Sequence, residues 1–379
     1  MRPPTLGLFF LFAAISAAAQ SSSRPTGGPN QQMAFPADAW RTAAPAELGV
    51  DPRGLARALD AWSSRLGTDG LDRTVIVRRG IVIHEGPSAS LANNLYSVTK
   101  SFTSTLAGVL LAERELPVDV PAARFEPVLQ DQYATVTLRH FATMTSGYNA
   151  PGNSRWNEPS EDWSPTPYVP APPLFAPGRR FAYWDEAQMM FGRVLTRMAR
   201  EDLLAVLTSR ILDPIGARAA GWSQEGDVDG VPIRNGCTGL AMDASNLARF
   251  GHLFLNEGRW RDRQLVPAAW VRAATRVQVE TALPADTDRR DDGRGRYGFN
   301  WWVNGVRPDG ARAFPAGPPR TFAALGLHHN VLLVVPEWDM VIVRLGEDRS
   351  PAGGHHDALS HFLHVLAPAV DVQGPTPGR

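Results

Sequence analysis

Residues 95–102 read Leu-Tyr-Ser-Val-Thr-Lys-Ser-Phe, and their lysine, Lys100, is the only one in the chain, against 37 arginines. Lysine, unlike arginine, can release its proton when burial and nearby charge lower its pKa. Ser97 and Lys100 stand three residues apart at the start of a predicted helix, so their side chains share one face. The positive end of that helix favours an alkoxide at Ser97. The stretch predicts a serine nucleophile with a lysine base, and the ordinary alternative is a solvated helix lysine.

The segments on either side of this stretch predict an α+β fold. Asp51 as N-cap and Pro52 at the first helical position open the domain, and two β-branched runs separated by Gly80 predict a hairpin. A second pair of apolar strands and a closing helix lie near the end of the chain. We expect an antiparallel sheet from both chain ends, flanked by helices, with an inserted, mostly helical lobe. The predicted helices cover residues 51–66, 96–116, 137–144 and 355–366, and the predicted strands cover residues 74–77, 81–84, 331–335 and 340–345.

Residues 1–19 have the pattern of a secretory signal peptide, with a positive start, a short apolar run and three alanines at the end. We therefore expect an exported protein, periplasmic or secreted. A flexible lead-in is predicted over residues 20–47, one catalytic domain over 48–367 and a tail over 368–379. The 38 basic residues balance 38 acidic ones, so neither nucleic acid nor, after signal cleavage, a membrane is expected as a partner. The oligomeric state stays open.

Residues 95–102 resemble the nucleophile motif of the serine β-lactamase and penicillin-binding-protein superfamily, especially its class C β-lactamase and family VIII esterase branch. Residues 138–147 resemble the family's next helix and turn, residues 177–185 its Tyr-x-Asn element, and residues 297–302 the aromatic strand before its last motif. The similarity extends over about residues 48–367. It implies a β-lactamase/transpeptidase-like fold and hydrolysis through an acyl-enzyme. No Gly-x-Ser-x-Gly motif is present, which disfavours an α/β-hydrolase.

By this resemblance, Tyr183 lies near Ser97 and Lys100, shares their proton and passes it to the leaving group. The alternative for Tyr183 is an ordinary core aromatic. Asp185 departs from the family's usual asparagine and is a candidate substrate-binding residue. It either neutralises Lys100 and raises its pKa, or caps the following helix together with Gln188, and we favour the cap.

The third family motif, usually Lys-Thr-Gly or His-Thr-Gly, is replaced here by Ala324-Leu325-Gly326. The resemblance implies that Gly326 lets the substrate lie against an edge strand. It also implies that the backbone N–H groups of Ser97 and Leu327 form the oxyanion hole. The family's usual cation for a substrate carboxylate is missing, since the chain has no second lysine. The candidates to replace it are His328, His329 and Arg320.

Four histidines cluster near the end of the chain, at positions 355, 356, 361 and 364. Only His361 and His364 share a helical face, so surface and packing roles are expected for the group. We expect neither a metal nor a cofactor.

The sequence predicts an exported serine hydrolase that cleaves a small uncharged ester or linear amide. Trp156 and Trp163, in a proline-rich stretch at residues 149–178 that suits an ordered loop over a site, and Trp184 are expected to line that site. One alternative is a β-lactamase or D-amino-acid peptidase with an unrecognised cation. The alternative from a different class is a non-catalytic penicillin-binding-like sensor.

Overall fold

The computed structural model describes residues 33–67, 69–152, 163–285, 292–347 and 355–371. The predicted signal peptide, Trp156 and the final residues 372–379 lie outside these ranges. Within them, no helix combines the length and the apolar character needed to cross a bilayer.

Helices cover both faces of the main sheet and fill the lobe between its two halves. In chain order they are α1 (Pro52–Ser63), α2 (Thr99–Glu113), α3 (Leu138–Ala142), α4 (Asp185–Ala199), α5 (Leu203–Leu207), α6 (Asp213–Ile215), α7 (Ala244–Leu255), α8 (Ala268–Ala274) and α9 (His355–Leu366). Single-turn 3₁₀ helices occur at Pro45–Leu48, Tyr96–Val98, Ala122–Arg124, Pro127–Leu129, Pro336–Trp338 and Ala367–Ala369, and a π-helical turn at Thr208–Leu212.

The strands form one six-stranded antiparallel sheet and three small ones. They are β1 (Arg73–Arg78), β2 (Ile81–Glu85), β3 (Asn93–Asn94), β4 (Gly221–Trp222), β5 (Gln224–Val228), β6 (Val231–Arg234), β7 (Leu240–Met242), β8 (Arg259–Trp260), β9 (Arg263–Gln264), β10 (Trp302–Val303), β11 (Phe322–Gly326), β12 (Asn330–Val335) and β13 (Met340–Leu345). The main sheet has the order β10-β11-β12-β13-β1-β2. The predicted sheet from both chain ends is thus confirmed, and so is the α+β fold.

Register across the main sheet places apolar side chains on both of its faces. Ile76 of β1 pairs with Ile342 of β13, which pairs with Leu333 of β12. These side chains belong to a core that also contains Trp62 of α1 and Phe362 of α9, whose ring centroids are 4.4 Å apart. The first and last helices therefore cover one face of the sheet, which explains why its strands are apolar without a polar alternation.

The opposite face of the sheet packs against the inserted lobe. Val75, Val343 and Leu332 lie on this face, in the core that contains α2 and α7. Helix α7 approaches the strands closely at Gly251, where a Cβ atom would lie 2.6 Å from one side-chain methyl of Leu332 and 2.6 Å from one of Val341. Each fully buried aliphatic or aromatic side chain contributes about 1.5–3 kcal/mol, so this face is a major source of stability.

Helix α2 runs through the middle of the molecule. Its residues from Thr99 to Leu111 are all buried, and Phe102 stacks on Phe250 of α7 with centroids 3.8 Å apart. The hydroxyls of Ser101 and Ser104 each donate a 2.7 Å hydrogen bond to a backbone carbonyl of the segment before β10. These bonds fix the rotation of α2 and thereby the direction of the residues at its N-terminus.

The α-helix begins later than the sequence pattern predicts. Tyr96 has a φ of 49°, so residues Tyr96–Val98 form a separate 3₁₀ turn and the α-helical bonds begin at Thr99. A left-handed residue cannot continue an α-helix of L-amino acids, which explains the break. The other predicted helices and the four predicted strands are confirmed to within a few residues.

The folded domain also begins earlier than the predicted boundary at Leu48. Residues from Met33 onward, assigned to the lead-in by sequence, pack against the inserted lobe. The guanidinium of Arg249 donates to the carbonyls of Ala37 and Asp38, both at 3.0 Å, and the indole of Trp40 donates to that of Ser245 at 3.1 Å. Most of these contacts use backbone carbonyls, which explains why the side-chain pattern missed the segment.

Buried His252 completes this attachment. Its Nε2 lies 2.8 Å from the carbonyl oxygen of Ala34, and its ring makes edge contacts with Phe35, Trp40 and Trp260. Burial lowers the pKa of His252 to about 4, although the Ala34 carbonyl raises it in part. The folded protein therefore holds this histidine neutral.

We expect His252 to make the protein less stable in mild acid. Unfolded histidine takes up a proton near pH 6.5, whereas folded His252 does so only near pH 4, so stability is complete above pH 6.5 and falls below it. The maximum loss is about 3 kcal/mol for a shift of this size. Between pH 7 and pH 5, the free energy of unfolding measured with urea should fall more for the wild type than for His252→Gln. The exposed His364→Gln is the control, and equal pH dependence in all three proteins would contradict the assignment.

Candidate active site

Ser97 lies on the 3₁₀ turn that precedes α2. The turn is held from behind, because the side chain of Asn94 accepts a 2.9 Å hydrogen bond from the backbone N–H of Tyr96. Asn94 itself belongs to β3, which pairs with β7. The nucleophile candidate therefore stands on a short, supported turn between a strand and the central helix.

Lys100, one helical turn further on, is 1% exposed and has three acceptors around its amine. Its Nζ lies 2.6 Å from Ser97 Oγ, 2.9 Å from Asp185 Oδ1 and 3.2 Å from the carbonyl oxygen of Cys237. The predicted proximity of Ser97 and Lys100 is thus present in the structure. The alternative of a solvated lysine does not fit a side chain with this burial.

The surroundings of Lys100 raise its pKa above the ordinary value. Burial is the largest single influence and lowers this pKa, but the Asp185 carboxylate, Tyr183 and Cys237 together outweigh burial, with Asp185 contributing most. Lys100 is therefore an ammonium in the resting protein. The sequence predicts that Lys100 acts as a free amine base at neutral pH. For that role, its ammonium must first lose a proton.

Asp185 is the first residue of α4, and the N-cap position belongs to Trp184, which makes no side-chain capping bond. Its carboxylate, 11% exposed, pairs with Lys100 instead. The favoured capping interpretation is therefore wrong, and the neutralising alternative is observed. The two interpretations share one sequence pattern, an acidic residue at a helix start, so only tertiary contact separates them.

Tyr183 lies partly buried between Lys100 and an aromatic wall. Lys100 Nζ is 4.9 Å from the centre of the Tyr183 ring, and the ring stacks on Trp302 at 5.8 Å and meets Tyr297 edge-on at 6.3 Å. Burial raises the pKa of the Tyr183 phenol, and the charge of Lys100, with hydrogen bonds to Ser97 and Lys100, lowers it only in part. The phenol is therefore protonated at neutral pH and can donate a proton.

Gly326, at the end of β11, touches the backbone around Ser97. A Cβ atom at this position would lie 2.4 Å from the carbonyl oxygen of Leu95 and 3.2 Å from the amide nitrogen of Ser97. Only glycine fits such an approach without moving one of the two segments. The sheet edge and the nucleophile turn are therefore in direct contact at this residue.

Leu327 follows Gly326 and begins the turn to β12, with its side chain 52% exposed. The turn is clamped from inside the sheet. The Asn330 amide donates to the carbonyl of Leu327 at 2.6 Å, and the buried Arg344 donates to that of His328 at 2.7 Å. The backbone that the resemblance assigns to the oxyanion hole thus has fixed supports.

The three candidate replacements for the missing lysine lie in different places. His328 stands beside the site, with its ring 4.9 Å from that of Tyr96. His329 is buried at 6% exposure. Arg320 precedes the opposite end of β11, where it pairs with Glu337, and six residues of extended chain separate it from Gly326 by about 20 Å. Of the three, the placement of His328 alone fits a role at the site.

Two further groups at the site carry no signal in the sequence. Glu347, just after β13, accepts a 2.6 Å hydrogen bond from the Tyr96 hydroxyl. The Cys237 carbonyl is a backbone group, so no side-chain pattern could reveal it. Glu347 is 250 residues from Ser97 in the sequence, and only the pairing of strands in the sheet brings the two together.

The tryptophans expected to line the site are placed differently. Trp184 is 8% exposed and lies within the hydrophobic core, so its assignment as a substrate-binding residue is not supported by its position. Trp163 is 37% exposed at the start of the described part of the proline-rich loop. Ser164, next to it, donates its N–H to Glu186 at 3.0 Å, which ties this loop to the residue after Asp185. Among the described residues, no group of three potential metal ligands is present.

Comparison with known proteins gives one family. A family model described as Beta-lactamase matches residues 92–365. A beta-lactamase from Pseudomonas fluorescens is 28% identical over 125 residues, which is 32% of this chain and 34% of that protein. The match thus spans about a third of the length of this relative.

Solved structures extend the similarity over most of the chain. A Bacillus anthracis protein assigned as a 6-aminohexanoate-dimer hydrolase has a TM-score of 0.64 at 19% identity, covering 89% of this chain and 87% of its own. EstCE1, a hydrolase with promiscuous acyltransferase activity, has a TM-score of 0.61 at 18% identity, covering 83% and 99%. At such identities the likeness shows the fold. The family model takes in both Ser97 and Lys100 and spans most of the sequence, so the chain belongs to the beta-lactamase family of serine hydrolases, within the serine β-lactamase and penicillin-binding-protein superfamily.

Proposed function

We propose that this protein is an exported serine hydrolase that cleaves uncharged esters or linear amides through an acyl-enzyme on Ser97. The observation that carries the proposal is the 2.6 Å contact between Ser97 Oγ and the buried amine of Lys100. A hydroxyl held this close to a buried lysine is poised to lose its proton as it attacks.

In this mechanism Ser97 Oγ attacks the substrate carbonyl while its proton moves to Lys100. The backbone N–H groups of Ser97 and Leu327 stabilise the oxyanion, a contribution worth about 10²–10³-fold in rate for each donor. Tyr183, protonated at neutral pH, donates to the leaving group, and water then releases the acyl group. The proposed role of Gly326 is to admit the carbonyl to this position.

The charges around the site favour an uncharged substrate. Asp185 balances the charge of Lys100, and Ala324 stands where the family usually carries a second cation. Glu347 adds a carboxylate beside Tyr96, the neighbour of the nucleophile. A β-lactamase or D-amino-acid peptidase acts on substrates with a carboxylate near the scissile bond, and this environment gives such a group little attraction.

Ser97→Ala should abolish turnover of p-nitrophenyl butyrate. Loss of the nucleophile is expected to lower kcat by at least about 10³-fold. Ser64→Ala is the control, because Ser64 is exposed and its hydroxyl donates only to the nearby Ala61 carbonyl. Equal activity in Ser97→Ala and the wild type would mean another nucleophile. A covalent adduct at Ser97 that forms without turnover would instead support the non-catalytic sensor.

Gly326→Ala should reduce activity more than it reduces stability. The new methyl would push against the Leu95 carbonyl and displace the nucleophile turn, and an error of about 1 Å at a reacting group costs about 100-fold in kcat/KM. Gly221→Ala is the control, because a Cβ atom there meets nothing within 4 Å. The kcat/KM and the thermal unfolding midpoint are measured for each protein. A wild-type kcat/KM in Gly326→Ala would show that the contact does not position Ser97.

The Glu347 carboxylate beside the site should make the protein prefer an uncharged ester over a negatively charged one. We expect p-nitrophenyl butyrate to be cleaved with a kcat/KM at least about tenfold higher than mono-p-nitrophenyl succinate, which differs by a carboxylate. Glu347→Gln keeps a partner for Tyr96 but removes the charge, so the difference should shrink. Glu257→Gln, a carboxylate paired with Arg272 and 54% exposed, serves as control. An unchanged kcat/KM ratio in Glu347→Gln would show that Glu347 does not determine the preference for an uncharged substrate.

A further inference from the structure

The amine of Lys100 has at least as many hydrogen-bond partners around it as an ammonium has protons. The Ser97 hydroxyl, the Asp185 carboxylate and the Cys237 carbonyl lie at 2.6, 2.9 and 3.2 Å, and the Tyr183 hydroxyl is also hydrogen-bonded to Lys100. An ammonium has three N–H donors and no lone pair, so Lys100 in this arrangement cannot yet receive a proton. Before or during attack by Ser97, one of its own protons must leave.

Only one of these groups can take that proton. The Ser97 hydroxyl is the group that must itself be deprotonated, and a backbone carbonyl is too weak a base to hold a proton. The Asp185 carboxylate, 2.9 Å away, is a base within hydrogen-bond reach.

We propose that Asp185 accepts the proton that Lys100 releases, so that Ser97, Lys100 and Asp185 act as one proton chain during acylation. This inference rests on the proposed serine hydrolase function and concerns how its base is generated. Asp185 contacts Lys100 at 2.9 Å, so in this proposal it acts on the nucleophile through Lys100.

The step balances in atoms and charge. The Ser97 O–H bond breaks, and its proton bonds to Lys100 Nζ while a proton on the far side of Nζ passes to Asp185 Oδ1. The Ser97 oxygen bonds to the carbonyl carbon, and the π electrons of the carbonyl move onto its oxygen. Lys100 ends as an ammonium, Asp185 as a neutral acid and the substrate as an oxyanion. When the tetrahedral intermediate collapses, Tyr183 donates to the leaving group, and the proton on Asp185 returns through Lys100 to Tyr183.

Burial makes the proton transfer from Lys100 to Asp185 accessible. An ammonium beside a carboxylate and an amine beside a carboxylic acid differ only in the position of one proton. Water strongly favours the charged form, but the side chains of Lys100 and Asp185 are only 2% and 11% exposed, and low polarity penalises separated charge. The negative oxyanion that forms also stabilises the ammonium of Lys100, so charge is never left unbalanced in the site.

The other titratable groups facing Lys100 are poor acceptors for this proton. Tyr183 has a raised pKa, which keeps it a phenol, and it serves better as a donor. The buried Cys237 has a pKa well above its ordinary value, which keeps it a thiol. A phenol and a thiol cannot accept a proton from an ammonium under neutral conditions.

The test is the direction in which Asp185→Asn moves the pH profile. In the proton chain the ion pair is the reactive state, so wild-type kcat/KM for p-nitrophenyl butyrate should stay constant as pH falls through neutrality. Asp185→Asn leaves Lys100 to act alone, and it is then useful only when deprotonated. Its activity at pH 6 should be at least about tenfold below wild type and should rise with pH.

The opposite result would overturn the proposal. If Asp185 merely pairs with Lys100, the wild type is held inactive until Lys100 deprotonates in alkali, and its rate rises toward pH 10. Asp185→Asn then lowers the pKa of Lys100 from its raised value, so more of the protein carries a free amine than in the wild type, and activity at pH 6 increases or stays unchanged. Asp229→Asn, which removes an exposed carboxylate paired with Arg197, is the control and should follow the wild type.

A second measurement covers the case in which Asp185→Asn does not fold. Wild-type kcat/KM measured in mixtures of H₂O and D₂O should give a curved dependence on the deuterium fraction, because two protons move together. A linear dependence indicates one moving proton and contradicts the chain. Failure of the hydrolase assignment can be told apart from failure of the proton chain. In that case the activity of Ser97→Ala would match that of the wild type at every pH.

Discussion

The burial of one ammonium group governs the arrangement of this site. An unpaired lysine in the interior costs several kcal/mol, so Lys100 can be 1% exposed only because its charge and its three protons are satisfied. The partners come from separate parts of the chain: the turn at Ser97, the start of α4 at Asp185 and the segment before β7 at Cys237. Each of these segments is therefore bound to the others through a single nitrogen atom.

The main sheet supplies the second constraint. Gly326 brings the edge of β11 against the backbone of Ser97, and the turn that follows is held by Asn330 and Arg344 from inside the sheet. Helix α2 is held on its other side by bonds from Ser101 and Ser104. The nucleophile thus sits between a rigid strand and a rigid helix, an arrangement that suits chemistry requiring sub-ångström placement.

The sequence predicts the framework of this protein well and its contacts less well. Strands and helices follow from local apolar patterns, and the Ser97 and Lys100 pair follows from helical spacing. At Asp185 the sequence pattern favours a helix cap and the structure shows an ion pair with a distant lysine, because the two interactions have the same local signature. The Cys237 carbonyl leaves no trace in side-chain identity, and residues 33–47 attach through backbone oxygens as well as through the Phe35 and Trp40 rings. Contacts of these kinds depend on tertiary structure, which a local sequence pattern does not encode.

A protein that carries a single lysine has an unusual surface. All other formal positive charge outside the N-terminus is guanidinium or imidazole, so the exterior offers no side-chain amine to acylating reagents, aldehydes or amine cross-linkers. The one amine in the chain is enclosed beside the nucleophile. Chemical modification at lysine therefore reports on the interior of the site and on nothing else, and a reagent that reaches Lys100 in the folded protein has entered the space where a substrate would lie.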